Sequence, residues 1–491
     1  MAQSHNLARL AEAAAERNGD HESLWFEGVW HRADELFARA QRVGAGLAEH
    51  GVRPGDRVVV FAANCPEVGI VYNALWRAGA VVTPAIFLLP PPELRQVIAD
   101  SAARAVIASP ELAETAREAA GDVEVISTDA LPESEPAPIV ARDDADLAAL
   151  LYTGGTTGRA KGVMLSHANL WHAGKAGHDA GYVPGMVRSL IALPLSHAYG
   201  LLVTVVGLHS PERLSTTLLR WFDPTAFVEL LEAHEIQLVA VVPSMIQALL
   251  AQPLEERDLS SLRFVVSGAA PLARDVYAEL ERRIPSARIR EGYGLTESSA
   301  IVSGNPPDGI RPGTVGVPVP GVEIRIVGAN DEELPAGEVG EICCRSATVM
   351  LGYWRSPELT ADALRGGWLH TGDLGSLDQD GYLRIVDRKK DLIIRGGFNV
   401  FPRDVEDALL EHPAVVAAGV VGRPDTAHGE EVVAFVQLRG AATTEDIVAF
   451  AKQRIGGYKY PREVHILSSL PLTPVGKIDR RQLRALVKEE A

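Results

Sequence analysis

Short apolar runs separated by amphipathic stretches are what most narrows the fold of this chain. Ala33 to His50 repeats its apolar residues at helical spacing, Asp56 to Ala62 is extended, and Glu67 to Ala78 is helical again. The alternation continues through extended runs at Ile191 to Leu193, Leu238 to Val242 and Phe264 to Ser267, with helical segments at Thr225 to His234 and Pro243 to Leu250. Strands that alternate with helices in this way bury a sheet beneath helical layers, which predicts an α/β body with several layers. Beyond Gly313 the pattern changes to short strands and turns, VEIRIV, GEVGEICCR and GYLRIV, the mark of a β-rich subdomain. After VDRKKD, Val386 to Asp391, the segments DVEDALLEH, VVAAGVVG, EVVAFVQL and TTEDIVAFAKQRI read as helix, strand, strand and helix. The roughly one hundred residues left there suffice for a small α+β domain.

Composition removes other classes. Hydrophobic residues at 47% and charged residues at 23% of 491 are ordinary globular values, and the length suits about three compact units. A formal charge of -17 argues against nonspecific nucleic-acid binding, while leaving room for a local cationic groove. Cys65, Cys343 and Cys344 are too few for a disulfide framework and lack zinc-site spacing, so a reducing cytoplasm is the expected setting. No apolar stretch approaches the length of a membrane span, and no integral membrane association is expected.

The segment LYTGGTTGRAKGVMLSH, Leu151 to His167, gathers glycines, hydroxyls and a lysine suited to a polyphosphate. It does not fit the GxxxxGK[ST] spacing of a P-loop, because Arg159 or Ala160 falls where the second glycine belongs. Apolar runs flank it on both sides, so it joins two strands and lacks the helix that opens directly after a Walker loop.

Further motifs follow in order: LPLSHAYG, SGAAPL, EGYGLTES, TGD, DRKKD and PVGKIDR, so that the set spans Thr153 to Arg480. Together they resemble the adenylate-forming superfamily, and within it the acyl-CoA synthetases, including fatty-acid and 4-coumarate-CoA ligase-like enzymes. GVRPGDRVVV extends the likeness into the amino-terminal region. The resemblance implies residues 1–386 as a large domain that binds AMP and the acyl group, 387–391 as a hinge, and 392–491 as a small mobile domain. It also implies a two-step reaction. ATP and a carboxylic acid give an acyl-AMP and pyrophosphate, and a thiol then takes the acyl group. Cations and oriented amides are needed because the first step brings two anions together.

By that resemblance Thr153, Gly154, Gly155, Thr156, Thr157, Gly158 and Lys161 hold the β- and γ-phosphates. Gly154 replaces a frequent serine of the family and Ala160 a frequent proline. Gly292, Tyr293 and Gly294 border the adenine, with Tyr293 stacking on it. Thr296 meets a phosphate, and Glu297 helps to hold Mg2+, a cation that favours oxygen ligands. Asp373 accepts from the ribose hydroxyls and Arg388 supports the same sugar. Lys477 bridges carboxylate and ATP during adenylation. Lys390 is the hinge, about which Lys477 leaves and Gly396, Gly397 and Phe398 approach the thiol tunnel. Arg395, Lys459 and Arg462 are candidate contacts for the phosphates of CoA.

The acyl pocket implied by the resemblance lies near His197, Tyr199, Gly200, Val242, Ser244, Met245, Gly268, Ala269, Ala270 and Gly292. Small residues at 268–270 leave room, and Val241, Val242 and Met245 offer apolar walls. The expected acid is a medium- or long-chain fatty acid, with an aryl acid as the alternative, and the expected co-substrates are ATP with Mg2+ and CoA. An acyl carrier protein is the other candidate acceptor.

Overall fold

The computed structural model describes residues 4–153, 160–473 and 478–489. Packing divides the chain into two compact units, residues 1–324 with 344–370, and residues 325–343 with 371–491. Residues 325–343 and 371–386, grouped with the large domain in the sequence reading, thus pack with the carboxy-terminal segment.

Two largely parallel sheets form the first unit. The seven-stranded sheet runs in the order Gly352–Tyr353, Lys161–Ser166, Leu147–Thr153, Val81–Pro84, Arg57–Phe61, Ala105–Ala108, Glu124–Ser127. Its strand RVVVF pairs in parallel on both sides, and Val58, Val59, Val60 and Phe61 are all fully buried. A continuous apolar run is what a strand covered on both faces requires. Helices Ala33–Glu49 and Pro66–Arg77 supply Val43, Leu47, Val71 and Leu75 to the same core. The nine-stranded sheet is built around Arg188–Ile191, Leu238–Val241, Phe264–Ser267 and Arg288–Tyr293, paired in parallel as neighbours in that order.

The expected strand at Ile191 to Leu193 lies earlier, at Arg188–Ile191. Its first half is polar. Ser189 pairs with Thr216 across the ladder with their hydroxyls 3.2 Å apart, whereas Ala192 and Leu193 are buried beyond the strand's end. Apolar burial and strand pairing are therefore out of step here, and the pattern follows burial.

Most of a four-stranded sheet, Val322–Val327, Gly340–Ser346, Leu369–Leu377, Leu383–Arg388, and the whole of a five-stranded one belong to the second unit. The latter contains Phe398–Val400, Ile393–Arg395, Gly429–Leu438 and Val415–Asp425, with Glu463–Leu467 alongside Gly429–Leu438 in parallel. Helices Pro402–Leu410 and Thr444–Arg454 bury Val405, Leu409, Ile447 and Ala451 against Val420, Val432 and Ala434 of this sheet. Among the described residues no helix is long and apolar enough to cross a membrane.

Candidate active site

The glycine-rich segment joins two antiparallel strands, as its flanks predict. Leu147–Thr153 pairs with Lys161–Ser166, and Thr153 stands opposite Lys161 at the mouth of the connection. A helix, His167–Gly181, opens only after the second strand. Ser166 Oγ accepts from the Asn169 amide and Asn169 Oδ1 from the Ser166 amide, a reciprocal cap that fixes this start. Gly154, Gly155, Thr156, Thr157 and Gly158 lie outside the described residues, as does Lys477.

Lys161 has neighbours that the motifs did not indicate. The short strand Gly352–Tyr353 adds to the edge of Lys161–Ser166, with Tyr353 opposite Val163. This sets the Lys161 ammonium 5.1 Å from the centre of the Tyr353 ring. The Tyr353 phenol donates a 2.9 Å hydrogen bond to Glu297 Oε1. Burial, and then the Glu297 charge, hold this phenol above its ordinary pKa, so it remains a donor. Lys161, Tyr353 and Glu297 thereby form a chain of cation, aromatic hydroxyl and carboxylate. Tyr353 is the residue that sequence reasoning missed; its only local signal is the GYW run after the β-rich turn.

Glu297 belongs to a tight turn, Thr296–Ser298, that follows the strand Arg288–Tyr293. The Ser298 hydroxyl oxygen accepts from the Leu295 amide at 3.2 Å, which closes the turn. Gly294 is obligatory in this geometry, because a Cβ there would come 2.1 Å from the Ala300 carbonyl oxygen. Tyr293 is half-buried at the end of its strand, and its carbonyl accepts from the Val302 amide. The other oxygen of Glu297 accepts no hydrogen bond among the described residues, so the half-buried carboxylate keeps an oxygen suited to a hard cation.

The residues expected at the acyl pocket occupy several elements of the first unit. His197 precedes helix Ala198–Leu208, and its Nδ1 accepts from the Tyr199 amide at 3.2 Å, so it caps the helix. Gly200 is buried in the first turn. Val242 precedes helix Pro243–Leu250; Ser244 on that helix is exposed, and Met245 is buried in an apolar core with Phe227 and Ile246. Gly268 is buried, Ala269 is exposed with φ 67°, and Ala270 is half-buried. The Tyr199 ring faces Gly268 closely: a Cβ at 268 would lie 3.4 Å from Tyr199 Cε1 and 3.9 Å from the Gly292 carbonyl oxygen. Gly268, Tyr199 and Gly292 therefore meet, while Ser244 and Ala269 face solvent.

In the second unit Asp373 and Arg388 stand opposite each other on adjacent strands, with Arg388 Nε 3.3 Å from Asp373 Oδ1. Asp373 is buried, and its amide donates to Thr371 Oγ1. Lys390 is exposed within a turn, Lys389–Asp391. Next to it, buried Asp391 accepts from Arg484 Nη2 at 2.7 Å, and Arg480 holds Glu406 through two bonds of 2.8 and 2.7 Å. On the other side Asp387 accepts from the Arg388 and Arg403 amides at 2.7 and 2.9 Å.

Gly396 and Gly397 take φ values of 58° and 80° and turn the chain between the paired strands Ile393–Arg395 and Phe398–Val400. Phe398 is 58% exposed and lies 4.9 Å from the Tyr458 ring. Two of the three candidate phosphate cations are committed elsewhere. Arg395 donates to both oxygens of Glu431 at 2.6 and 2.9 Å, and Lys459 donates to Asp404 at 2.7 Å. Arg462 lies 3.5 Å from the centre of the Tyr460 ring.

The chain as a whole is similar to known proteins. The AMP-binding enzyme family matches residues 11–354, and the AMP-binding enzyme C-terminal domain matches residues 404–477. A feruloyl-CoA synthase of an Amycolatopsis species is 39% identical over 462 residues, covering 92% of each chain. A long-chain-fatty-acid–CoA ligase of Salmonella typhimurium is 33% identical and spans 98% of this chain and 94% of its own. The crystal structure of ATP-bound MatB from Rhodopseudomonas palustris is similar with a TM-score of 0.91 at 32% identity, covering 99% of this chain and 100% of that one. The chain belongs to the AMP-binding enzyme family, within the adenylate-forming superfamily, and is an ATP-dependent, AMP-forming acid–thiol ligase of the acyl-CoA synthetase type.

Proposed function

We propose that this ligase activates an aryl acid, with an arylpropenoic acid as the leading class, and transfers the acyl group to CoA. The carrying observation is the aromatic surface that the Tyr199 ring, packed against Gly268 close to the Gly292 carbonyl, gives the expected acyl region. The 39% identity to a feruloyl-CoA synthase supports the same class, and both curated relatives carry CoA in their names. The long-chain reading keeps the support of the 33% relative.

In this reading Thr153 and Lys161 receive the ATP phosphates together with residues 154–158. Glu297, oriented by Tyr353, would hold Mg2+, which when bound supplies charge to shield the phosphate oxygens. Tyr293 stacks on the adenine, Asp373 accepts from the ribose hydroxyls, and Arg388 supports them. Lys477 offsets the charge that develops as the carboxylate attacks the α-phosphorus. The incoming acid is already ionised at neutral pH, so His197 has no proton to remove and serves as the cap of helix Ala198–Leu208. Rotation about Lys390 then exchanges Lys477 for the Gly396–Phe398 turn, whose exposed Phe398 and Tyr458 rings offer a surface to the thiol cofactor.

The test is incubation of the protein with Mg-ATP and a panel of aryl and fatty acids, with and without CoA, resolving acyl-AMP and acyl-CoA by mass spectrometry. Aryl-CoA formed at higher kcat/KM than any fatty acyl-CoA is expected. Preferential fatty acyl-CoA formation would replace the aryl reading, and acyl-AMP that persists despite CoA would point to an acyl carrier protein.

A further inference from the structure

Arg290 lies on the strand Arg288–Tyr293, two residues before Gly292, and is only 7% exposed. Strand alternation puts Arg290 and Gly292 on one face, about 7 Å apart. A guanidinium removed from water is costly unless an anion or several acceptors compensate it. Here Nε donates to the Asn305 carbonyl at 2.8 Å and Nη2 to the Ala180 carbonyl at 3.0 Å, while the Phe264 ring centre lies 5.4 Å away. Nη1 donates to no described residue, and no carboxylate pairs with Arg290 among them. Val266 pairs with Arg290 in the parallel ladder, so Gly268, two residues further on, shares that face, and the Tyr199 ring packs against it. A buried cation with an uncommitted donor therefore stands on the face that carries Gly292, one ring's length along the strand.

We propose that Arg290, with Tyr199, forms a polar far end of the acyl pocket and selects arylpropenoic acids that carry a phenolic oxygen on the ring. This rests on the aryl-acid reading and deepens it. The phenolic oxygen accepts from the uncommitted Nη1 and supplies the electron-rich partner that the buried guanidinium lacks. An alkyl chain of the same reach would desolvate the cation and return nothing, so the residue also discriminates against fatty acids. The carbonyls of Asn305 and Ala180 fix the guanidinium in place, which makes the preference a matter of fit between fixed groups.

The experiment measures kcat/KM for 4-hydroxycinnamate, cinnamate and decanoate with the wild type, Arg290→Met and Arg290→Lys. The wild type is expected to prefer 4-hydroxycinnamate over cinnamate by about tenfold or more. Arg290→Met brings that ratio close to one, mainly by loss on the hydroxylated acid, and Arg290→Lys restores part of it. A residue that served only to cap helix His167–Gly181 would lower both aryl acids alike and leave the ratio unchanged, which would overturn the proposal. Should Arg290→Met not fold, the absorption band of 4-hydroxycinnamate bound to the wild type decides. A blue shift is expected where the guanidinium donates to the phenolic oxygen and withholds its electron density from the ring, and an unshifted band would overturn the assignment. Turnover of decanoate with neither aryl acid accepted would show that the aryl reading itself had failed. Aryl turnover with a ratio indifferent to Arg290 would sink this inference alone.

Discussion

Replacing Tyr353 by phenylalanine isolates the contribution of one hydroxyl to the first half-reaction. The ring that faces Lys161 at 5.1 Å remains, and what disappears is the 2.9 Å hydrogen bond to Glu297. A hydrogen bond to a charged acceptor contributes about 1.5–3 kcal/mol. If that bond orients Glu297 for the metal and phosphates, the loss appears in the barrier to adenylation, where each 1.36 kcal/mol is tenfold. Acid-dependent exchange of pyrophosphate into ATP should therefore fall about 10- to 150-fold in Tyr353→Phe, with a raised Mg2+ requirement and an unchanged KM for the acid. Thioester formation from preformed acyl-AMP, which needs no metal-bound triphosphate, should be spared. Exchange within twofold of the wild type, at the same Mg2+ dependence, would refute the reasoning and reduce Tyr353 to a packing residue.

Lys390→Pro should preserve acyl-AMP formation while slowing thioester formation in single-turnover assays, because proline restricts the torsions of the proposed pivot; equal loss in both steps would count against it. Arg395→Met leaves Glu431 buried without its bidentate partner and should cost the second unit about 3 kcal/mol, seen as a lower melting temperature, with the KM for CoA nearly unchanged. A rise in that KM at unaltered stability would return Arg395 to the cofactor. Burial pushes the His167 imidazole down to about 4, so between pH 6.5 and 4 the unfolded chain binds more protons than the native one. Stability should therefore fall by up to roughly 3 kcal/mol as pH drops through that window, and His167→Gln should flatten the part of the slope not shared with His209.

The elements that were legible from sequence are those whose pattern is local. Phe264–Ser267 and Pro243–Leu250 begin and end where periodicity and proline place them, and the antiparallel strands around the glycine-rich loop follow from their flanking apolar runs. What escaped depends on partners far along the chain. Tyr353 acquires meaning only beside Glu297, 56 residues earlier. Arg395 and Lys459 look like free cations until Glu431 and Asp404, 36 and 55 residues away, are found to neutralise them. Arg290 reads as a polar residue on a strand, and only its burial without an acid sets it apart.

Asp387 has a second consequence. Helix Pro402–Leu410 begins after Phe401, whose side chain cannot cap it, and the Arg403 amide in its first turn is satisfied by Asp387 from beyond the Lys390 turn. The proposed rotation about Lys390 would carry that amide away and cost the helix this side-chain cap, about 1 kcal/mol. Asp391, fastened to Arg484, travels with the helix instead. The proposed pivot would thus have a detent, shallow enough for substrate binding to overcome and deep enough to favour one stop over a continuum of intermediate angles.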